Sequence, residues 1–433
     1  MKSLPPSPLV RIARATVLVV VSGLSGCAGP ATESPVQQAG APSQSAVTVF
    51  EGARVIVGDA RPPIDAATFV VQDGRIVEIG SRDRVRVPDG AVRVSLEGKT
   101  VMPAIVDTHT HLSQTRDALT QDLRRRASYG VGAAMSLGQD NGDAPFEVRA
   151  QPIPGIALFR TAGRGITMPE PGRSDAPYWI TTEAEGRKAV QELAAKKVDI
   201  VKVWVDDRDG KYKKLPPSLY EPIIDEAHKA GLRVTAHIFN LSDAKGLLRA
   251  NIDAFAHGIR DVEVDDEALA LFKERPRVVV VPNLPDRGVA TDMSWLRGSI
   301  PDDELVKIQA AAVDRPEAQK QFAVQAKNLA RLNEAGVRIA LGSDGNTPWA
   351  PHVEMADMVA AGMTPAQVIV AATGAAAEFV GITDGGVLES GRRADFIVLD
   401  ANPLDDITNS RRIASVYLSG TPVDRSGGAD GRP

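Results

Sequence analysis

Residues 102–111 read Met-Pro-Ala-Ile-Val-Asp-Thr-His-Thr-His, an apolar run that ends on two histidines one residue apart. A short continuous apolar run reads as a strand buried on both faces. Residues two apart in a strand share a side. His109 and His111 can therefore point the same way and grip one metal ion. Two solvent-facing or core histidines would give the same local pattern, so the rest of the chain has to decide between them.

Seven more apolar runs come after it: VGAAMSLG at 131–138, PGIALFRTAG at 154–163, DIVKVWVDD at 199–207, RVTAHIF at 233–239, DAFAHGI at 253–259, VVVVPNL at 278–284 and VRIALGSDG at 337–345. Amphipathic stretches lie between them, such as TTEAEGRKAVQELAAKK at 181–197 and PEAQKQFAVQAKNLARLNEAG at 316–336. Buried strands alternating with helices predict a parallel sheet. Eight such strands favour a closed (β/α)₈ TIM barrel over an open doubly wound sheet, here spanning 102–385 with loop insertions near 164–180 and 286–313.

The polar residues fall where a barrel keeps its chemistry, at the C-terminal ends of strands. His237 ends the fifth strand, His257 the sixth and Asp344 the eighth, while Lys202 lies within the fourth. Each has a plainer reading: a core histidine, a helix cap for Asp344, an outward lysine with a snorkelling stem. Taken together, five of eight strands carry a metal-type ligand, and accident would scatter such residues through loops and helices. His228, in the helical DEAHKAG, is read as structural or exposed. His352, just after strand eight, is a candidate substrate contact. So are Arg164 and Arg260, after strands three and six, where either guanidinium can hold a carboxylate through two hydrogen bonds.

The flanks differ. VTVFEGARVIVG, ATFVVQDGRIVEIG and AVRVSLEGKTV within 47–101 alternate apolar and polar residues, and Asp73-Gly74 marks a hairpin turn. GRRADFIVLDANP and ASVYLSGTPV repeat that texture near the C-terminus. The expectation is one small composite β-sandwich built from 47–101 and 386–424, with 425–433 as a disordered tail.

At the N-terminus, Lys2, Arg11 and Arg14 precede the short apolar run ATVLVVVSGL, as in a signal peptide. The run ends in Leu24-Ser25-Gly26-Cys27, which resembles the bacterial lipoprotein signal. That resemblance implies cleavage of 1–27, lipid on Cys27 and an anchor on the periplasmic face of the outer membrane, since Ala28 is not the Asp of inner-membrane retention. Residues 28–46, rich in Pro, Ala, Ser and Gln, read as a flexible tether. Cys27 is the only cysteine, so no intrachain disulfide forms. The net charge of −5 and the lack of a basic stripe exclude nucleic acid as the main partner.

His-x-His on strand one, Lys on four, His on five and six and Asp on eight resemble the amidohydrolase superfamily. Met102–His111 is similar to that family's opening segment, with Pro103-Ala104 where Pro-Gly is usual. RTAGRGIT, VKVW, EAHKAGLRV and AAGMTPAQVI resemble the branch that holds imidazolonepropionase-like proteins and binuclear prolidase-type dipeptidases. The resemblance implies that His109, His111 and Asp344 bind one divalent metal, that His237 and His257 bind another, and that a CO₂-derived carbamate on Lys202 bridges them. It implies zinc, with manganese, cobalt or iron as other fits. It also implies a metal-bridging hydroxide that attacks an amide carbonyl, with Asp344 moving the proton to the leaving amine.

The expected substrate is an N-acyl amino acid or a dipeptide, as for a prolidase or carboxypeptidase. A mononuclear hydrolase of a cyclic amide, imidazolone or lactone is the second reading, and a catalytically inert ligand-binding lipoprotein the third. Ile238, Phe239 and Asn240 come after His237 where related deaminases place a glutamate, which counts against base deamination. No Gly-x-Ser-x-Gly elbow, His-Glu-x-x-His or phosphate loop is present. A homo-oligomer is compatible with the insertions.

Overall fold

The computed structural model describes residues 47–425. The expected signal segment with Cys27, the tether 28–46 and residues 426–433 of the expected tail lie outside the described residues. Among the described residues no helix is long and apolar enough to cross a membrane.

All eight apolar runs form parallel strands. Ile105–Thr110, Val131–Ser136 and Leu158–Thr161 make one sheet of three. Val201–Val205, Val234–Ile238, Ala254–Phe255, Val279–Val280 and Arg338–Ile339 lie in chain order in a sheet of seven. The other two members of that sheet, Ile166–Thr167 and Tyr178–Trp179, come from the 164–180 insertion. Backbone hydrogen bonds run between the two sheets on both sides: Asp199 N donates to Thr161 O at 2.9 Å, and Thr108 N donates to Leu341 O at 3.0 Å. The architecture is α/β and TIM-barrel-like.

Helices begin where side chains can satisfy their first N–H groups. Glu183–Ala195 opens on a capping box in which Thr182 Oγ1 accepts from Glu185 N and Glu185 Oε2 accepts from Thr182 N. It then turns Ala189, Val190 and Leu193 into the apolar layer against the strands. The 286–313 insertion is also ordered by burial. Its helix Asp302–Ala311 and the turn Ser294–Leu296 bury Met293, Leu296, Ile300 and Leu305 with Tyr129.

Strands from both chain ends pair with each other. Phe396–Leu399 lies antiparallel to Thr100–Pro103, which is parallel to Thr48–Val55. Where two bonded layers were expected, all eight end strands form one hydrogen-bonded sheet. The reason is visible in its apolar face. Phe50 stacks on Phe69 at 4.9 Å and meets Phe396 edge-on at 5.1 Å, and Phe396 stacks on Tyr417 at 4.7 Å. These rings supply a core of their own. This sheet positions the site directly, because Thr100–Pro103 runs through Ala104 into Ile105–Thr110, the strand that carries His109.

Candidate metal centre

The strand ends bring six side chains toward one point. His109 sits within Ile105–Thr110 and His111 just beyond it; Lys202 sits within Val201–Val205 and His237 within Val234–Ile238. His257 lies two residues past Ala254–Phe255. Asp344 occupies the turn after Arg338–Ile339 with φ of 49°, a left-handed conformation that Asp tolerates better than most residues.

One oxygen of Asp344, Oδ1, lies 3.0 Å from His111 Nε2 and 3.3 Å from His109 Nε2. The other, Oδ2, lies 3.7 Å from His257 Nε2. Ligand atoms of His109, His111 and Asp344 all fall within 4.8 Å of one another. The imidazole of His257 meets those of His109 and His237 at ring-centre distances of 5.0 and 4.4 Å.

Partners behind the rings decide which nitrogen faces inward. His109 Nδ1 is 2.8 Å from Asn283 Oδ1, an acceptor, so Nδ1 carries the proton and Nε2 offers its lone pair to the centre. His237 Nε2 lies between an acceptor, Asp206 Oδ2 at 2.8 Å, and a donor, Arg208 Nη1 at 3.0 Å. Asp344 is fixed through its backbone. Asp344 N and Ser343 N both donate to His109 O, while Asp107 accepts from Ser343 N at 3.0 Å and Ser343 Oγ at 2.6 Å. Arg126 closes this knot, donating to Asp107 Oδ2 and to Gly345 O, each at 2.8 Å.

Burial sets the charges. It drives the imidazoles of His109 and His257 well below their usual range and that of His237 down to about 3, so all three are neutral at neutral pH. Burial also lowers the Lys202 ammonium to about 7, against the pull of Asp344 and with the help of Arg208 and Arg260. For Asp344 burial acts in the raising direction, but His109, His111 and Lys202 together hold the carboxyl far below the ordinary range. Lys202 lies under the indole of Trp204, its Nζ 5.4 Å from a ring centre. That indole fits only because Gly138 and Gly165 are glycines: a Cβ on either would fall well inside contact with the ring.

A divalent metal suits this donor set. His109 Nε2, on the side of Asp344, and Lys202 Nζ are buried and have no hydrogen-bond partner. Each such orphan costs about 1–3 kcal/mol, and neutral imidazoles around an anionic carboxylate are the donors that first-row divalent ions take.

Two expected substrate contacts are corrected by the structure. His352 is fully buried within the helix Ala350–Ala360, with Nδ1 3.0 Å from Ser410 Oγ and Nε2 2.8 Å from Tyr129 O. Neither ring nitrogen is left for a ligand. The Arg164 guanidinium donates to the carbonyls of Asp175, Ala176 and Pro177 and stacks 4.1 Å over Tyr178, so it braces its own loop. Arg260, three residues past His257, makes no side-chain hydrogen bond or ion pair with a described residue; its Nε is buried and unpartnered. His228 pairs with Asp253 at 2.9 Å, away from the centre.

Sequence reading missed Asp107, Arg126, Asn283, Asp206 and Arg208. Asp107 had a local signal, an acid two residues before His109 in a buried strand. Asp206 and Arg208 lie just past strand four, and Asn283 just past strand seven, at the same end as the ligands. Arg126 had none, because the last arginine of a run of three in a helix reads as surface.

Residues 100–423 match the sequence profile of the amidohydrolase family. The chain belongs to that family. As a member it is a hydrolase. Its sequence is 24% identical to an imidazolonepropionase of Deinococcus radiodurans over 386 residues, covering 83% of this chain and 92% of that protein. It is 25% identical to an ochratoxinase of Aspergillus niger over 426 residues, 84% of this chain and 83% of the relative. Among solved structures, a candidate prolidase from Bifidobacterium longum superposes with a TM-score of 0.74 at 26% identity, covering 88% of this amidohydrolase and 95% of the other chain.

Proposed function

We propose that this amidohydrolase cleaves the amide C–N bond of a small N-acyl amino acid or dipeptide at a two-metal centre. The carrying observation is the convergence of four histidines, Lys202 and Asp344, with His109 Nε2 and Lys202 Nζ buried and without partners. Relatives named imidazolonepropionase, enamidase and prolidase support carbon–nitrogen chemistry. In this reading His109, His111 and Asp344 hold one ion, His237 and His257 the other, and carboxylated Lys202 serves both. Zinc is the first choice of metal. When bound, such ions polarise the scissile carbonyl and lower the pKa of water.

The chain's own residues do the rest. Asn283 holds His109 in the tautomer that aims Nε2 inward, and Asp206 anchors the ring of His237 through Nε2. The lowered Lys202 ammonium makes its neutral amine accessible near neutrality, and that amine adds CO₂, forming an N–C bond and releasing one proton. Asp344 Oδ2, the oxygen not engaged by His111, accepts the proton of the attacking water and returns it to the leaving amine.

The finer fold belongs to the same reading: the two parallel sheets act as one closed eight-stranded barrel, with the single end sheet as a composite domain built from both chain ends. So does the lipid anchor, for which Cys27→Ser is expected to move the protein from the membrane to the soluble fraction.

The test is elemental analysis of protein grown with bicarbonate, and then an amide panel. About two first-row metal equivalents, with turnover of acyl-amino acids or dipeptides, is the expected result. About one equivalent, unchanged in Lys202→Ala, overturns the two-metal centre in favour of a mononuclear hydrolase of cyclic amides. That second reading draws on the tight His109, His111 and Asp344 cluster.

A further inference from the structure

Arg208 and Arg260 stand together beside His237 and His257, and neither guanidinium is fully used. Arg208 is held on one edge: Nη1 lies 2.5 Å from Asp206 Oδ2 and 3.0 Å from His237 Nε2, and Nε lies 3.2 Å from Glu170 Oε1. Its Nη2 is buried without a partner. Arg260, three residues past His257, has a buried Nε without a partner and no carboxylate within ion-pair distance among the described residues. The two charges oppose each other, and that of Arg260 also reaches Lys202, His237 and His257.

Such an arrangement is costly as it stands. Buried N–H groups without acceptors lose their hydration, and two like charges in a half-buried cleft repel. A bound anion relieves both costs. Glu170 and Asp206 face Arg173 and Arg208, and the carboxylates of Asp344 and Asp206 act on Arg260 from beyond ion-pair distance. With so little positive charge to spare, a monoanion suits the cleft better than a phosphate dianion. The planar fork of a guanidinium matches two carboxylate oxygens.

We infer that the free edges of Arg208 and Arg260 form a subsite for a single carboxylate on the substrate, on the His237–His257 side of the centre. The inference rests on the hydrolytic reading and sharpens it: the scissile amide belongs to a residue whose own carboxylate is free. Asp206 and Glu170 act as positioning residues that orient Arg208, and Arg164 takes no part.

The test uses metal-reconstituted protein and a panel of N-acetyl-amino acids, each paired with its neutral carboxamide. Two readouts are taken, the rise in melting temperature on adding each compound and kcat/KM. The expected result is that at least one acid stabilises the protein while its carboxamide does not. Arg260→Gln then loses about 10- to 100-fold of that affinity, the fold-change expected for a charged hydrogen-bonded contact. Its metal content stays at the wild-type level, and Arg260→Lys recovers only part of the loss because an ammonium lacks the fork. Equal binding of acids and carboxamides, no binding of any acid, or an unchanged preference in Arg260→Gln overturns the subsite. Selective binding of acids with no hydrolysis of any panel member leaves the subsite standing and overturns the proposed reaction instead.

Discussion

His109, His111 and Asp344 are held from behind by backbone hydrogen bonds and a fully buried ion pair, whereas His237 leans on a charged network that opens to the mouth. Asp107 and Arg126, both completely inaccessible, tie the first strand to the turn bearing Asp344. On the other side, Asp206 and Arg208 stay partly accessible and leave donor groups free. The first half is therefore part of what keeps the fold together. The second can exchange partners with a ligand without opening the core. Under the proposed function, fixing the proton-transfer carboxylate rigidly and keeping the substrate-facing charges adjustable would separate stability from recognition.

The largest expected effect falls on the rigid half. Asp344→Asn removes the proposed proton acceptor, and kcat is expected to fall about 10²- to 10⁴-fold with the fold intact by circular dichroism. A loss under tenfold would place proton transfer elsewhere.

Acid comes next, and it acts on both halves. The folded-state imidazoles of His109, His237 and His257 are depressed, His237 to about 3. Their stability contribution is complete above the unfolded value of about 6.5 and is lost as pH falls toward the folded values, by about 1.4 kcal/mol per pH unit for each group. Urea midpoints of the metal-free chain at pH 8, 6 and 5 check this; a flat profile would mean that the rings are hydrated.

Arg126→Met separates the halves. It strands the Asp107 carboxylate, and unfolding free energy is expected to drop by about 3–5 kcal/mol, read from denaturant titration. A change below about 1 kcal/mol would remove the distinction between a structural and an adjustable half.

Smaller effects are expected from the ring partners. Asn283→Ala and Asp206→Asn should each weaken metal affinity about 10- to 100-fold, measured by chelator competition, and lose different equivalents. The smallest is Arg164→Gln, which should lower stability by about 1 kcal/mol through the loss of its stacking on Tyr178, with the acid-over-amide preference retained.

Much of this arrangement is legible along the chain. The eight apolar runs are strands because buried parallel strands have to be apolar on both faces, a pattern that survives in one dimension. His109, His111, His237, His257 and Asp344 stand out because polar residues at the ends of such runs have no packing role, and Lys202 because a lysine inside such a run is costly to bury charged. The joining of the two chain ends could be expected from their shared alternation, but not their union in a single sheet, which depends on which faces Phe50, Phe69 and Phe396 present to each other.

The sequence by itself determined the family, the strand order and the six side chains that converge. Tertiary structure alone decided what stands behind and beside them. His352 and His109 are alike as buried histidines, yet one has both nitrogens bonded and the other keeps Nε2 free of any hydrogen-bond partner. Arg164 and Arg260 are alike as arginines after parallel strands, yet one is occupied by three carbonyls and the other by no described residue. The physical reason is that hydrophobic periodicity is a local property of the chain, while the saturation of a polar atom depends on partners such as Asn283, Ser410 and Gly345 that lie far from it in sequence.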